Sequence, residues 1–299
     1  MFYQAIEANK TKTVFLMIAF VIVITAIGWA VGYFMGAGGE FAMVIAIVLA
    51  LFMVWGGYYY SDKLVIASVG AQPVEKFNEP YLVNVVEGLT IAAGFGTIPK
   101  TYIIESPALN AFATGRNPDN AAICVTRGLL ERLNRQELEG VIAHEMSHIR
   151  NYDILIMTVA AVMVGGVAIL SRIIFRYMFW GGGGRSRRSD SRGGGGQAIL
   201  MVVAIVLLIL APILVNLMKL ALSRNREYLA DASAVQLTRN PDGLIGALKK
   251  LSRDDEKIDG VSDATAHLFI ANPFKKKAML AMFSTHPPIE DRITALSKM

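Results

Sequence analysis

Apolar and polar residues are segregated along the chain. Four uncharged apolar stretches, residues 14–35, 41–60, 154–171 and 198–218, stand out against polar surroundings. Each approaches the ~20 residues that a helix needs to cross ~30 Å of hydrocarbon. The first two read as transmembrane helices. Trp29, Tyr33 and Phe34, then Trp55 and Tyr58 to Tyr60, suit the aromatic belts at a membrane interface. The first stretch is too long for a signal-peptide core, and a second follows at once, so it reads as a retained anchor. The third and fourth read as a second pair of spans. A hydrophobic hairpin packed inside the protein is the alternative for them.

The polar stretches, 61–153 and 219–299, carry shorter signals. A helix is expected from Pro73 to about Ala93. Three short β-branched and aromatic runs, 100–106, 109–115 and 120–126, are punctuated by Pro107, Gly115, Asn117 and Pro118 and predict a small antiparallel sheet. A helix is expected within 128–133 and another from about Arg135 onward. Asn134 and Glu137, three apart, nearly match a capping box at its start. No Gly or Pro falls between Val141 and Val164, which predicts one unbroken helix into the third apolar stretch. The same reasoning extends a helix from Ile213 to Arg239, with Asn240-Pro241 opening the next. The expected organisation is a helix pair (1–60), a first catalytic part (61–153), a hydrophobic hairpin (154–218) and a second catalytic part (219–299).

The chain has 299 residues, 54% of them hydrophobic, and a net charge of +5. That balance fits a protein against anionic lipid. No basic stripe with interleaved aromatics suggests a nucleic-acid groove, so no nucleic-acid partner is expected. The lone cysteine, Cys124, excludes an internal disulfide and reads as a buried strand residue. Residues 181–196, GGGGRSRRSDSRGGGG, read as a disordered linker at the hairpin tip.

The chemistry sits in His144-Glu145-Met146-Ser147-His148. On a helix, positions i and i+4 share one face, so the two imidazoles can hold one Zn²⁺ at about 2.0–2.1 Å each. Glu145 is placed to take a proton from the attacking water and pass it to the leaving nitrogen. A catalytic zinc takes a third protein ligand. His267 and His286 are the spare histidines. Glu227 and Asp231, spaced i, i+4 in SRNREYLADASA, are the acidic candidates. One of these acids would bind metal while the other orients a ligand histidine. His286 and Arg292, in STHPPIEDRI, are candidates to stabilise a developing oxyanion. His148 lies six residues before Ile154, or ~9 Å along a helix. If both helices are continuous, the site stands just outside the bilayer, within reach of membrane proteins.

These segments together resemble the HtpX-type membrane metalloproteases, relatives of the CAAX prenyl proteases. The resemblance covers nearly the whole chain. It rests on the two N-terminal spans, NAFATG, VIAHEMSHIRNYD, the hydrophobic pair, SRNREYLADASA, HLFIANP and STHPPIEDRI. It implies an α-helical integral membrane protein of about four spans carrying a mainly α, gluzincin-like protease domain. It implies one zinc per chain on His144, His148 and Glu227, with Glu145 as base and Asp231 supporting the site. His286 and Arg292 would face the substrate. Asn110, Ala111, Phe112 and Ala113 would form an edge strand to which an extended substrate adds by main-chain hydrogen bonds. The implied function is a zinc metalloendopeptidase in quality control of misfolded membrane proteins under stress, set in the plasma membrane with its catalytic domain in the cytoplasm. Lys10 and Lys12 favour that orientation; the arginines at the hairpin tip oppose it. A prenyl-protein protease, expected to need more spans, and a non-catalytic scaffold with a structural zinc site are the alternatives. Glu145 argues against the scaffold, because a structural site needs only ligands.

Overall fold

The computed structural model describes residues 2–34, 38–180, 224–262, 264–274 and 287–299. His286, the glycine-arginine linker and the fourth apolar stretch lie outside these residues.

Helices α1 (Phe2–Phe34) and α2 (Gly39–Tyr59) form a hairpin of two candidate membrane spans. Its faces touch closely where small residues meet. A Cβ on Gly28 would collide with Ala46, and one on Gly32 with Ala42. In lipid such small-residue contacts let helix backbones approach and pack by van der Waals attraction. Phe15, Ile22, Val48 and Phe52 point away from the hairpin and are exposed, as lipid-facing side chains should be.

The third apolar stretch forms α7 (Asp153–Trp180). It packs on the hairpin through Val159, Met163 and Val167 against Phe20, Ile24 and Ala50. It does not continue the preceding helix, α6 (Arg135–Arg150): the two meet at 82°. The predicted unbroken helix is therefore wrong. Asn151 caps α6, its N–H bonding Ser147 O at 3.1 Å. Tyr152 then adopts φ 57°, in the left-handed region, and Asp153 opens α7 with a negative charge at its N-terminus. The stop and the start are written in polar side chains, not in Gly or Pro. Counting α6 and α7 as one broken span gives up to three spans among the described residues, so the expected four is only approximate.

Between α2 and α6 the chain builds α3 (Ser61–Ser68), β1 (Gln72–Pro73), α4 (Pro80–Ala93), β2 (Lys100–Ile104), β3 (Ala111–Gly115), β4 (Ala121–Thr126) and α5 (Arg127–Arg132). The helix expected from Pro73 starts at Pro80 instead. Pro73 lies in β1, which pairs with β2. The sheet order is β1-β2-β4-β3. It is mixed, not antiparallel: β2 runs parallel to β4, while β3 is antiparallel to β4, with Ala111 opposite Val125. Two strands separated by a third strand and a turn can pair in parallel, and the residue pattern of a strand does not reveal its direction.

Helices α8 (Arg224–Thr238), α9 (Pro241–Arg253) and α10 (Ile289–Leu296) complete the fold. One core joins both polar stretches: Leu138, Val141 and Ile142 of α6 share it with Ile123 and Val125 of β4, Ala234 of α8, Leu248 of α9 and Leu296 of α10. Gly140 is where α9 crosses α6. A Cβ there would stand 2.7 Å from Leu244 N, so only glycine permits this spacing.

Candidate metal centre

Helix α6 begins on a complete capping box. Asn134 Oδ1 accepts from Glu137 N–H at 3.0 Å, and Glu137 Oε2 accepts from Asn134 N–H at 2.8 Å. Lys250 of α9 adds an ion pair to the same carboxylate at 2.6 Å. The helix is thus fixed at its start, by its core face and by its cap at Asn151. Its last turns carry His144, Glu145 and His148, all buried.

Helix α8 lies beside α6 and brings Glu227 to the two histidines. His144 Nε2 and His148 Nε2 stand 3.2 Å apart. Glu227 Oε2 lies 3.6 Å from the first and Oε1 lies 3.7 Å from the second. One ligand atom from each of the three residues can be chosen so that all lie within 4.8 Å of one another.

The opposite nitrogens show how these residues could hold a cation. His144 Nδ1 stands 2.9 Å from Asp231 Oδ1, and His148 Nδ1 stands 2.9 Å from Asp153 Oδ2. Carboxylates only accept, so each Nδ1 carries the hydrogen and each Nε2 turns a lone pair inward. Two imidazole lone pairs and a carboxylate converging in a buried space call for positive charge. A proton competes with a metal for that position on His144. Burial and the charge of Arg292 press its pKa down, yet the hydrogen bonds to Asp231 and Glu227 outweigh them and hold it at about 9, so a metal must displace this proton to use the Nε2 lone pair. The donor set of two imidazoles and one carboxylate leaves a fourth position open, the arrangement of catalytic zinc sites.

Asp231 is itself gripped by α10. Arg292 donates from Nε to Oδ2 at 2.9 Å and from Nη2 to Oδ1 at 2.6 Å. Burial favours the neutral acid, but the Arg292 charge and its hydrogen bonds prevail, and Asp231 is lowered to about 2. Arg292 is fully buried. Its Nη1 stands 3.8 Å from Glu227 Oε2. Its Nη2 stands 3.3 Å from His144 Nδ1, so Arg292 touches that candidate ligand directly as well as through Asp231.

Three participants escaped the sequence reading. Asp153 holds His148 as Asp231 holds His144. Arg226 Nε pairs with Asp153 Oδ1 at 3.1 Å. Asn9, in α1, donates from Nδ2 to the same oxygen at 2.7 Å. A signal for Asp153 existed, an acid five residues after His148 at the helix end. Nothing local pointed to Asn9. His267 is buried, with Nε2 3.1 Å from Met157 O, and stands apart from the three-ligand cluster.

Strand β3 forms the sheet edge on the α6 side. Thr126 N–H bonds Asn110 O at 3.0 Å, so by antiparallel alternation Ala111, Ala113 and Gly115 turn their peptide groups outward. Ala111 O accepts from Ile270 N–H at 2.9 Å, and Gly115 N–H reaches Thr158 Oγ1 at 3.3 Å. Asn110 clasps Ala271 from both sides, with Nδ2 to its O at 2.9 Å and Oδ1 to its N–H at 3.2 Å. Among the described residues, Ala113 N–H and C=O have no partner.

A H-E-x-x-H helix, a glutamate from a later helix and a membrane hairpin against them define a membrane metallopeptidase. The model of Peptidase family M48 matches residues 76–299. A "Protease HtpX homolog" of Streptococcus uberis is 44% identical over the whole of both chains. Another, of Dictyoglomus thermophilum, is 46% identical over all of this chain and 95% of its own. The crystal structure of S. mikatae Ste24p shares the fold, with a TM-score of 0.50 and 19% identity over 98% of this chain and 67% of that one. The chain belongs to peptidase family M48, with the HtpX proteases, and is a membrane metalloendopeptidase.

Proposed function

We propose that this protein is a zinc-dependent endopeptidase that removes misfolded or damaged membrane proteins as part of a stress response. Its catalytic face lies on the cytoplasmic side of the plasma membrane. The observation that carries the reading is the convergence of His144, His148 and Glu227, each histidine backed by its own aspartate, where α6 turns into the membrane-packed α7. The domain plan is a helix pair (1–60), a catalytic part (61–153), a hydrophobic hairpin (154–218) and a second catalytic part (219–299).

His144, His148 and Glu227 hold the metal. Bound there, zinc supplies Lewis acidity, lowering the pKa of a water and polarising the scissile carbonyl. Glu145 follows His144 on the buried helix. It accepts the proton of the attacking water and delivers it to the departing amide nitrogen. Burial excludes bulk water and strengthens each charge interaction. Asp231 and Asp153 keep the imidazoles in the ligating tautomer, and Arg292 keeps Asp231 ionised. The family resemblance assigns Asn110–Ala113 as the edge to which an extended substrate adds by main-chain hydrogen bonds. Ile270 and Ala271 occupy the Asn110–Ala111 part of that edge, so the 270–271 segment must move aside for a substrate to pair there. His286 is assigned to the substrate side, as the family resemblance implies; Arg292, which the resemblance also places there, is fully buried against Asp231 and acts from behind the histidines.

Lys10 and Lys12 at the start of α1, with Lys63 just after α2, support the cytoplasmic orientation. Lys10 lies over the Tyr152 ring at 4.9 Å, which places the start of α1 beside the site.

Purified in detergent, the protein should cleave an unfolded membrane-protein substrate, lose that activity to a chelator and regain it with zinc. Glu227→Ala should weaken zinc binding sharply while leaving the histidine pair. Unchanged zinc affinity in that variant would move the third ligand to another residue.

A further inference from the structure

Asn9 is buried in the first membrane helix, with 3% of its surface exposed. A buried polar side chain is expensive unless its hydrogen bonds are filled. Those of Asn9 are filled by the metal centre's surroundings. Nδ2 donates to Asn151 O at 2.8 Å and to Asp153 Oδ1 at 2.7 Å, and Oδ1 accepts from Arg226 Nη2 at 2.6 Å. The pattern fixes the amide's orientation, since the flipped amide would set its oxygen against two acceptors.

One amide therefore ties together three elements: the cap of α6, the first residue of α7 and the residue before Glu227 on α8. The junction it holds is the 82° elbow, where Tyr152 sits at positive φ. Asp153 is the endpoint. Its Oδ1 is held by Asn9 and Arg226, which leaves Oδ2 aimed at His148 Nδ1. The family's domain match begins at residue 76, so Asn9 lies outside it while reaching within one residue of a metal ligand.

We propose that Asn9 is a positioning residue of the metal centre, acting through Asp153 on His148, so that the first membrane helix completes the active site as well as anchoring it. This rests on the zinc reading given above. Partners that orient a ligating histidine are worth about 10–100-fold in metal affinity or activity when removed.

The test compares full-length wild type, Asn9→Ala and Asn9→Asp in detergent. Asn9→Asp keeps the volume but turns the donor facing Asp153 into an acceptor. Thr13→Val, one turn along the same buried face, where among the described residues Thr13 Oγ1 bonds only Asn9 O of its own helix, controls for packing. Zinc affinity is read by competition with a chromophoric chelator, melting is followed with and without zinc, and kcat and KM are measured separately. Both Asn9 variants should bind zinc about 10–100-fold more weakly, show a smaller zinc-induced rise in melting temperature, and lose kcat with little change in KM. Thr13→Val should match wild type. Wild-type zinc affinity in the Asn9 variants, or melting lowered equally with and without zinc, would overturn the proposal and leave Asn9 a packing strut. If Asn9→Ala does not fold, Asn9→Asp decides alone. Absence of zinc binding by wild type would instead overturn the zinc reading, and this inference with it.

Discussion

At the scale of single residues, the site is a set of paired roles. Each ligand histidine spends one nitrogen on an aspartate and turns the other inward. The pairing makes a definite prediction: Asp153→Asn and Asp231→Asn should each lower zinc affinity or activity about 10–100-fold. Chelator competition checks the affinity. An effect for Asp231 alone would mean that His148 needs no orienting partner. Cys124 gives a second, independent prediction. It is wholly buried in β4, and burial pushes its thiol pKa far up, so it stays a neutral thiol at any working pH. An alkylating reagent should leave Cys124 unmodified in the native protein and modify it once denatured. The sequence exposed the ligands because H-E-x-x-H and the downstream E-x-x-x-D obey helix spacing. It did not expose Asn9 or Arg226, whose importance comes from contacts across 144 and 73 residues of chain: positions 9 and 226 both converge on 153.

At the scale of elements, α6 is the rigid part that sets ligand geometry. Its capping box was legible, because Asn134 and Glu137 stand at the required spacing. Asn134→Ala should destabilise the protein by about 1 kcal/mol, as loss of such a cap does. Denaturant or thermal melting of the zinc-loaded protein checks this, and an unchanged midpoint would show that the core and Lys250 alone fix the helix start. The end of α6 was not legible. Pattern reasoning searches for Gly and Pro, whereas here Asn151 caps the helix and Tyr152 takes positive φ. Such an elbow costs backbone strain and persists because neighbours enforce it. Those neighbours are Asn9 and Lys10. The sheet shows the same division. Strand positions follow β-branched residues and turn residues, but the parallel β2–β4 pairing depends on tertiary placement.

At the scale of the whole molecule, the anchor and the protease domain are one construction. Helix α7 packs on the α1–α2 hairpin and starts at Asp153, which holds His148 of the proposed metal site. The long apolar stretches announced the membrane, and the combined motifs announced the family. Their junction could not be read, since it is made by polar side chains far apart in the chain that meet only on folding. The central claim is that this junction houses a working zinc peptidase centre with Glu145 as its base. Zinc content and cleavage of an unfolded membrane protein, measured on wild type and Glu145→Gln side by side, test it most directly. Both proteins should carry one zinc per chain, and cleavage by the variant should fall by about 10²–10⁴-fold or more. Cleavage by Glu145→Gln at the wild-type rate, or wild-type protein that cleaves without zinc, would contradict it.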